Sequence, residues 1–424
     1  IQDLINHADG NYCCSQAYFD WAPDVENYFH STGVSNLDYD ITPYSQWLLK
    51  LKLASGSVKV DEYLLASAAA RVGKIALSED QKVVNAGLSF DTARFVHLLK
   101  SYAQTLNIQV INDELAQVRL TAMGDIESLL TVSNINIEGD FFIDVTGNSS
   151  KLLGAGLQIG YDSWSQYLPC NRKQYVRSKP RSERFIPFAA AQLGTLGWVK
   201  NRPLRSQLIA EFICHDGALA CSGSQDAMLE LFSDSKVHVF APGVRKKTWH
   251  KNCLALGDAA VTFDHFSHSP LYVAAVTLMR FIEFWPSSEN VNLMEDEFNR
   301  LMAIEFMAIR DFHCLHYVLA KKTDTPLGGL LREIKLPESL RYRMELFSAC
   351  GGSPTDEATL VHASQWTNLF LGFGFWPNSY SGMLSHITAI ELEHWSNKIK
   401  RNIQNTIENS PDYSHYMATL ISAK

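Results

Sequence analysis

The sequence predicts an α/β (α+β) body that gives way to a helical region. Three observations carry this. The first half alternates short strand-like runs with amphipathic helices. Two apolar runs, Phe141–Val145 and Cys253–Leu256, each end in a glycine turn, at Thr146-Gly147-Asn148 and at Gly257. A buried strand delivered into glycine is how open α/β sheets present backbone to a ligand. The last third reads as successive helices.

Each element has its own signal. Asp91–Leu106 places Phe95, Leu98, Leu99 and Ala103 at helical spacing behind Asp91, a good helix starter. Ile108–Ile111 and Val118–Thr121 read as short strands. Pro270 suits a first helical turn and opens a helix running to about Trp285. Asn292–Ala320 carries Met302, Phe306, Ile309 and Leu315 on or near one stripe, and Leu336–Phe347 and Ile387–Glu408 read as further helices. The change of pattern puts a boundary near residue 290, dividing 1–290 from 291–424.

Composition narrows the function classes. The 37 Lys and Arg against 45 Asp and Glu leave a net charge of −8 over 424 residues. A mildly acidic chain with no basic stripe is a poor partner for nucleic acid or a membrane surface. The apolar segment Leu271–Trp285 is too short to span a bilayer and carries Arg280 and Glu283. Eight cysteines without a C-x-x-C suggest neither a zinc knuckle nor a disulfide framework, so a reducing cytoplasm is the default setting. The chain opens on Ile1 with no signal-peptide pattern. There is no G-x-S-x-G elbow, H-E-x-x-H or Walker loop.

Several short motifs share one pattern. Pro242-Gly243-Val244-Arg245-Lys246-Lys247-Thr248-Trp249 leads into Asn252-Cys253 and then Gly257-Asp258-Ala259-Ala260. Ahead of it lie Ser89-Phe90-Asp91-Thr92 and Phe142-Ile143-Asp144-Val145-Thr146-Gly147. Behind it lie Arg310-Asp311-Phe312, His316-Tyr317, Asp324-Thr325-Pro326, then Trp366, Gly372, Gly374 and Pro377. Taken in order, these segments resemble the flavin-dependent tryptophan halogenases along nearly the whole chain. The resemblance implies a flavoprotein-monooxygenase-like FAD domain fused to a mostly helical substrate domain, with some substrate-domain strands inserted in the first 290 residues. It implies FAD as cofactor, a small aromatic or indole-like substrate, a flavin reductase as partner and a possible homo-oligomer. In that family reduced FAD, oxygen and halide give hypohalous acid, which reaches an active-site lysine beside the substrate; the cofactor carries the hard chemistry. Carried over residue by residue, the resemblance assigns Gly147, Gly257, Asp258, Ala259 and Ala260 to FAD, the Asp to its ribityl chain. Asp258 is also an ordinary turn residue by type.

Four departures from the family pattern stand out. No G-x-G-x-x-G precedes the first matched segment, so either a segment ahead of Ile1 supplies the pyrophosphate cradle or FAD is not bound in the usual way. The family's lysine falls on Cys13, which beside Cys14 reads as a small core residue. The family's glutamate falls on Ser267, and in the substrate or halide region Trp198, His268, Ser269 and Pro270 line up with the family's signature and turn. Pro270 replaces a glycine there and has no N–H to offer a halide. Finally, the second Trp and the Ile of the family's Trp-x-Trp-x-Ile-Pro signature become Lys200 and Arg202. Unpaired buried cations are costly, so both are expected to face solvent or an acidic ligand.

Other chemistry is weaker. Asp264, His265 and His268 could offer a metal two imidazoles and a carboxylate, but polar loop residues fit as well, and no metal site is assigned. His313 and His316, three apart on a helix, are expected to be structural. A Ser267–His268 pair is disfavoured because sequence neighbours seldom reach nucleophile–base geometry. Two functions remain. One is a flavin-dependent oxidoreductase of the halogenase family with the ordinary halogenase residues lost. The other is a catalytically inactive paralogue that serves as a binding or assembly partner.

Overall fold

The computed structural model describes residues 1–422, apart from 32, 34–36, 38–41, 79, 81, 180–183, 221–230, 233–234, 265, 268, 286–290 and 353–359. His265 and His268 therefore lie outside the described residues, as does the boundary drawn near 290. The α/β architecture expected from the sequence is present.

The largest sheet has seven strands in the order His238–Val239, Arg172–Ser178, Leu208–Cys214, Gly197–Pro203, Phe188–Leu193, Ser15–Ala22 and Val25–Ser31. All its pairings are antiparallel except that Phe188–Leu193 runs parallel to Ser15–Ala22. Behind it lies the 28-residue helix Val291–Val318. Phe298, Met302, Phe306, Ile309, Phe312 and Leu315 recur every three or four residues along this helix and are all buried, so one stripe faces the core. The helix Ala363–Gly372 packs against the edge strand Val25–Ser31. The approach is so close that a Cβ at Gly372 would overlap the Tyr28 ring, which explains the glycine there.

A second, smaller sheet matters more for ligand binding. Phe142–Asp144 and Cys253–Ala255 lie side by side in parallel, with Trp249–His250 as the third strand. Both parallel strands end in the glycine turns expected from the sequence, with Gly147 at φ 68° and Gly257 at φ 58°. The turns are tied together: the Thr262 hydroxyl donates to Asn148 Oδ1 at 2.9 Å.

Helices fall near their expected places. Asp91 caps Thr92–Thr105 by accepting from the Ala93 and Arg94 amides. Pro270–Glu283 starts on its proline, with Ser269 as N-cap accepting from the Tyr272 amide at 3.1 Å. Glu338–Cys350 and Ala389–Asn409 match the later two. Two expectations need correction. Ile108–Ile111 forms no strand; it follows Asn107, a left-handed residue that ends the helix, and Ile108 and Val110 are 54% and 58% exposed with no sheet edge to join. The apolar stripe of Thr92–Thr105 is not a core face either: no residue of that helix is buried, and Phe95 rests mainly on Phe90, ring centroids 4.8 Å apart.

Candidate active site

Two places collect the residues singled out by the sequence. The first is the pair of glycine turns. Asp144, fully buried, organises one of them. Its Oδ1 accepts from the Thr146 amide at 3.0 Å and the Thr146 hydroxyl at 2.6 Å. Its Oδ2 accepts from the Leu152 and Leu153 amides, both at 2.9 Å, and from the Ser150 hydroxyl at 3.2 Å. This leaves Gly147 with open space around its Cα, so backbone there is approachable by a ligand. In the other turn Ala259 and Ala260 are buried and hold the backbone, while the half-buried Asp258 carboxyl is held above its ordinary range by burial, against the opposing charge of Lys173. A desolvated carboxyl between two open glycine turns fits a sugar or polyol chain that donates hydroxyls, which is what a bound FAD would offer. Asp144 is the functional residue that sequence reading missed; a lone Asp before Thr-Gly gives no signal that its carboxylate will gather five donors.

The second place is a close-packed aromatic cluster between the seven-stranded sheet and the long helix. Trp198 is fully buried, stacks on Phe266 with centroids 4.2 Å apart and planes 3° apart, and donates Nε1–H to the Tyr317 hydroxyl at 3.2 Å. Such a stack adds about 0.5–1.5 kcal/mol beyond burial. Trp21 meets both rings edge-on and donates to the His316 carbonyl at 2.8 Å. His316 is structural, as expected. Its Nδ1 lies 2.7 Å from the Phe312 carbonyl, which can only accept, so Nδ1 carries the proton. Its Nε2 then accepts from the Tyr18 hydroxyl at 2.8 Å, a phenol that burial keeps protonated.

Polar groups reach this cluster from four distant stretches of chain. Lys200 is half-buried. Its Nζ donates to the Phe266 carbonyl at 2.7 Å, and burial draws its ammonium below the ordinary lysine value, with Arg202 adding and Glu211 and Cys13 opposing. Arg202 is likewise satisfied by protein, donating to Glu211 at 3.1 Å and to the Phe90 carbonyl at 3.1 Å. Both cations are half-buried; Arg202 meets an acidic group in Glu211, and the Phe266 and Phe90 carbonyls take up the remaining cost of burial, which the sequence did not indicate. Cys13 is half-buried, its thiol donating to the Ser15 carbonyl at 3.4 Å. Burial pushes this thiol up, against a backbone hydrogen bond from Ala189 and the charges of Lys200 and Arg202. Cys14 is buried and pushed up to about 12, so it is a core residue and no thiolate. Thus the lysine of strand Gly197–Pro203 reaches from the neighbourhood of Cys13 to the peptide carbonyl that precedes Ser267.

Ser267 is exposed, and its Oγ lies 3.3 Å from Nε2 of His313. His313 Nδ1 lies 2.9 Å from Asp264 Oδ1. Both His313 and Asp264 side chains are fully buried. His313 thus bridges Ser267 and Asp264, a pairing the sequence did not indicate; the His268 alternative lies outside the described residues. Ser269 and Pro270 build the start of helix Pro270–Glu283. Among the described residues no group of three or more His, Cys, Asp and Glu could hold a metal, and no helix is long and apolar enough to cross a membrane.

Comparison with known proteins gives this arrangement a setting. The sequence model of the family described as "Tryptophan halogenase" matches residues 2–389. Tryptophan 6-halogenase ThaL of Streptomyces albogriseolus is 23% identical over 416 residues, covering 91% of this chain and 78% of that protein. Among solved structures, BrvH, a flavin-dependent halogenase from Brevundimonas sp. BAL3, superposes with a TM-score of 0.91 at 24% identity, over 99% of this chain and 88% of its own. Xcc4156, a flavin-dependent halogenase from Xanthomonas campestris, gives a TM-score of 0.91 at 23% identity, over 99% and 86%. At such identities the superpositions establish the fold.

Proposed function

This chain belongs to the tryptophan halogenase family, and we propose that it is a flavin-dependent oxidoreductase of that family whose reaction site is rebuilt around Lys200, acting on an aromatic or indole-like substrate. The observation that carries the reading is Lys200 Nζ, 2.7 Å from the Phe266 carbonyl and within electrostatic reach of Cys13. A lysine ammonium thus lies between the two positions, Cys13 and Ser267, that the family resemblance assigns to its lysine and glutamate. In this reading the ordinary residues are replaced at both, and the cation comes instead from strand Gly197–Pro203, in a different sheet from Cys13.

FAD, when bound and reduced by a flavin reductase, would supply the oxidising chemistry with dioxygen as the two-electron oxidant. Gly147, Gly257, Asp258, Ala259 and Ala260 would hold it. The chain's own residues do the rest. Trp198, Phe266 and Trp21 pack on one another into a rigid, water-free aromatic cluster beside the Lys200 ammonium. Burial draws the Lys200 ammonium below its ordinary value, and its Nζ is held on the Phe266 carbonyl, where it can present a positioned N–H to a bound substrate. The region of Trp198, His268, Ser269 and Pro270 is where substrate or halide is proposed to lie. Pro270 offers no N–H there, so a substrate-directed oxidation other than tryptophan halogenation is the better expectation.

The test is Lys200→Met, assayed with FAD, a flavin reductase and a panel of indoles with bromide present or absent. Product formation should fall by about 10²-fold or more, the usual share of a positioned acid–base group. Flavin affinity should stay within a factor of about three, because 1.4 kcal/mol is tenfold and no flavin contact is removed. Equal turnover in the variant would remove Lys200 from the chemistry.

A further inference from the structure

We infer that Ser267, His313 and Asp264 form a nucleophile–base–carboxylate relay able to carry out acyl transfer on small carboxylic esters. The three residues come from a loop and a helix 49 positions apart, and they connect in the order that activates a hydroxyl. His313 Nδ1 lies 2.9 Å from Asp264 Oδ1, and with the carboxylate as acceptor the imidazole proton sits on Nδ1. Nε2 is then the basic nitrogen, and it faces the Ser267 hydroxyl at 3.3 Å, a distance common before a substrate tightens the contact.

Three further features favour a working relay over a buried structural pair. The Asp264 carboxylate is fully buried, and its second oxygen has no hydrogen-bond partner among the described residues. Leaving half a carboxylate unsatisfied is costly, and here it leaves one oxygen devoted to orienting His313. The imidazole is clamped between apolar faces, 5.5 Å from the Phe263 ring and 5.8 Å from the Phe266 ring, which fixes its plane and keeps water from Nδ1. Ser267 itself is exposed, so a substrate can reach it while its base stays dry. Helix Pro270–Glu283 begins three residues later, and Lys200 donates to the carbonyl preceding Ser267. Both place positive potential close to where an oxyanion would develop.

The reaction balances without any cofactor. Ser267 Oγ bonds to the ester carbonyl carbon as its proton passes to His313 Nε2. The carbon–oxygen bond to the alkoxide then breaks, and the alkoxide leaves as alcohol with that proton. Water attacks the acyl-serine, gives its proton to Nε2, and the acid departs as Ser267 Oγ takes the proton back. Asp264 holds Nδ1–H throughout and stabilises the imidazolium.

The experiment is covalent labelling of the full-length protein with an alkyl fluorophosphonate, read by intact mass and peptide mapping, beside p-nitrophenyl acetate hydrolysis. One adduct on the Ser267 peptide is expected, with none in Ser267→Ala, whose exposed site leaves folding unchanged. Asp264→Asn should slow labelling and hydrolysis by on the order of 10³-fold, since the wrong tautomer is then favoured. A folded Asp264→Asn is recognised by an unchanged near-UV dichroism spectrum; should it not fold, Ser267→Ala together with the mapped adduct decides the matter. No adduct, an adduct on another residue, or hydrolysis that persists in Ser267→Ala would overturn the assignment. Flavin binding plays no part in this readout, so it stands or falls separately from the oxidoreductase reading.

Discussion

The two glycine turns and the aromatic cluster are built on different principles. In the turns, backbone conformation makes the site: Gly147 and Gly257 sit at positive φ, Asp144 gathers amides, and side chains mostly serve the main chain. In the cluster, side chains make the site, and its polar groups arrive from Cys13, Lys200, Asp264, Ser267 and His313. A backbone site tolerates little change, because few residues other than glycine adopt those angles cheaply. A side-chain site can be re-equipped one residue at a time on the same walls. On the reading proposed above, the turns keep the residues of the family's pattern while the aromatic cluster departs from them, which is what this contrast leads one to expect.

The sharpest way to break the comparison is to remove the carboxylate on which one turn depends. Asp144→Ala leaves buried amides of Leu152 and Leu153 without an acceptor. It should cost about 3–5 kcal/mol in urea unfolding, as loss of a buried charged hydrogen-bond hub does. It should also abolish flavin binding, whereas Lys200→Met in the cluster should leave it in place. A mild Asp144→Ala phenotype would mean that the turn is held by something other than its carboxylate.

A smaller effect tests the link between the long helix and the strand that feeds the second turn. Glu295 accepts from Lys247 at 2.6 Å and from the Lys251 amide at 2.9 Å, and lies 2.9 Å from His250 Nδ1. Burial pulls its carboxyl up, but the His250 and Lys247 hydrogen bonds outweigh it and the net shift is downward. A depressed carboxylate contributes stability that is present above its unfolded value, about 4.3, and is lost as pH falls through its folded value. Glu295→Gln should therefore cost about 1–2 kcal/mol at pH 7, allowing for solvent screening of the part-exposed lysine. The difference from wild type should vanish on acidification below that range. A gap that persists at low pH would assign Glu295 a packing role instead.

Legibility in the sequence followed the same division. The turns were readable because an apolar run ending in glycine is a local signal. The fold was readable because motifs in order along the chain are a one-dimensional pattern. The cluster was not. Lys200 was expected to face solvent because its strand gave no hint that Phe266, far along the chain, would offer a carbonyl. His313 and His316 were both expected to be structural because they lie in the stretch Arg310-Asp311-Phe312 to His316-Tyr317; only the fold shows that one imidazole points to Tyr18 and the other to Asp264 and Ser267. Ile108–Ile111 failed for a related reason, since apolar β-formers make a strand only where a neighbour offers an edge.

The most direct test of the central claim, that the backbone-built turns still hold flavin while the aromatic cluster has changed, is a titration of the purified full-length protein with FAD, followed by visible absorption and flavin fluorescence. Saturable binding in the micromolar range or tighter, with a perturbed flavin spectrum, is expected. An intact, folded protein that leaves free FAD unchanged would contradict the claim and point to a catalytically inactive member of the family that works by binding a protein partner.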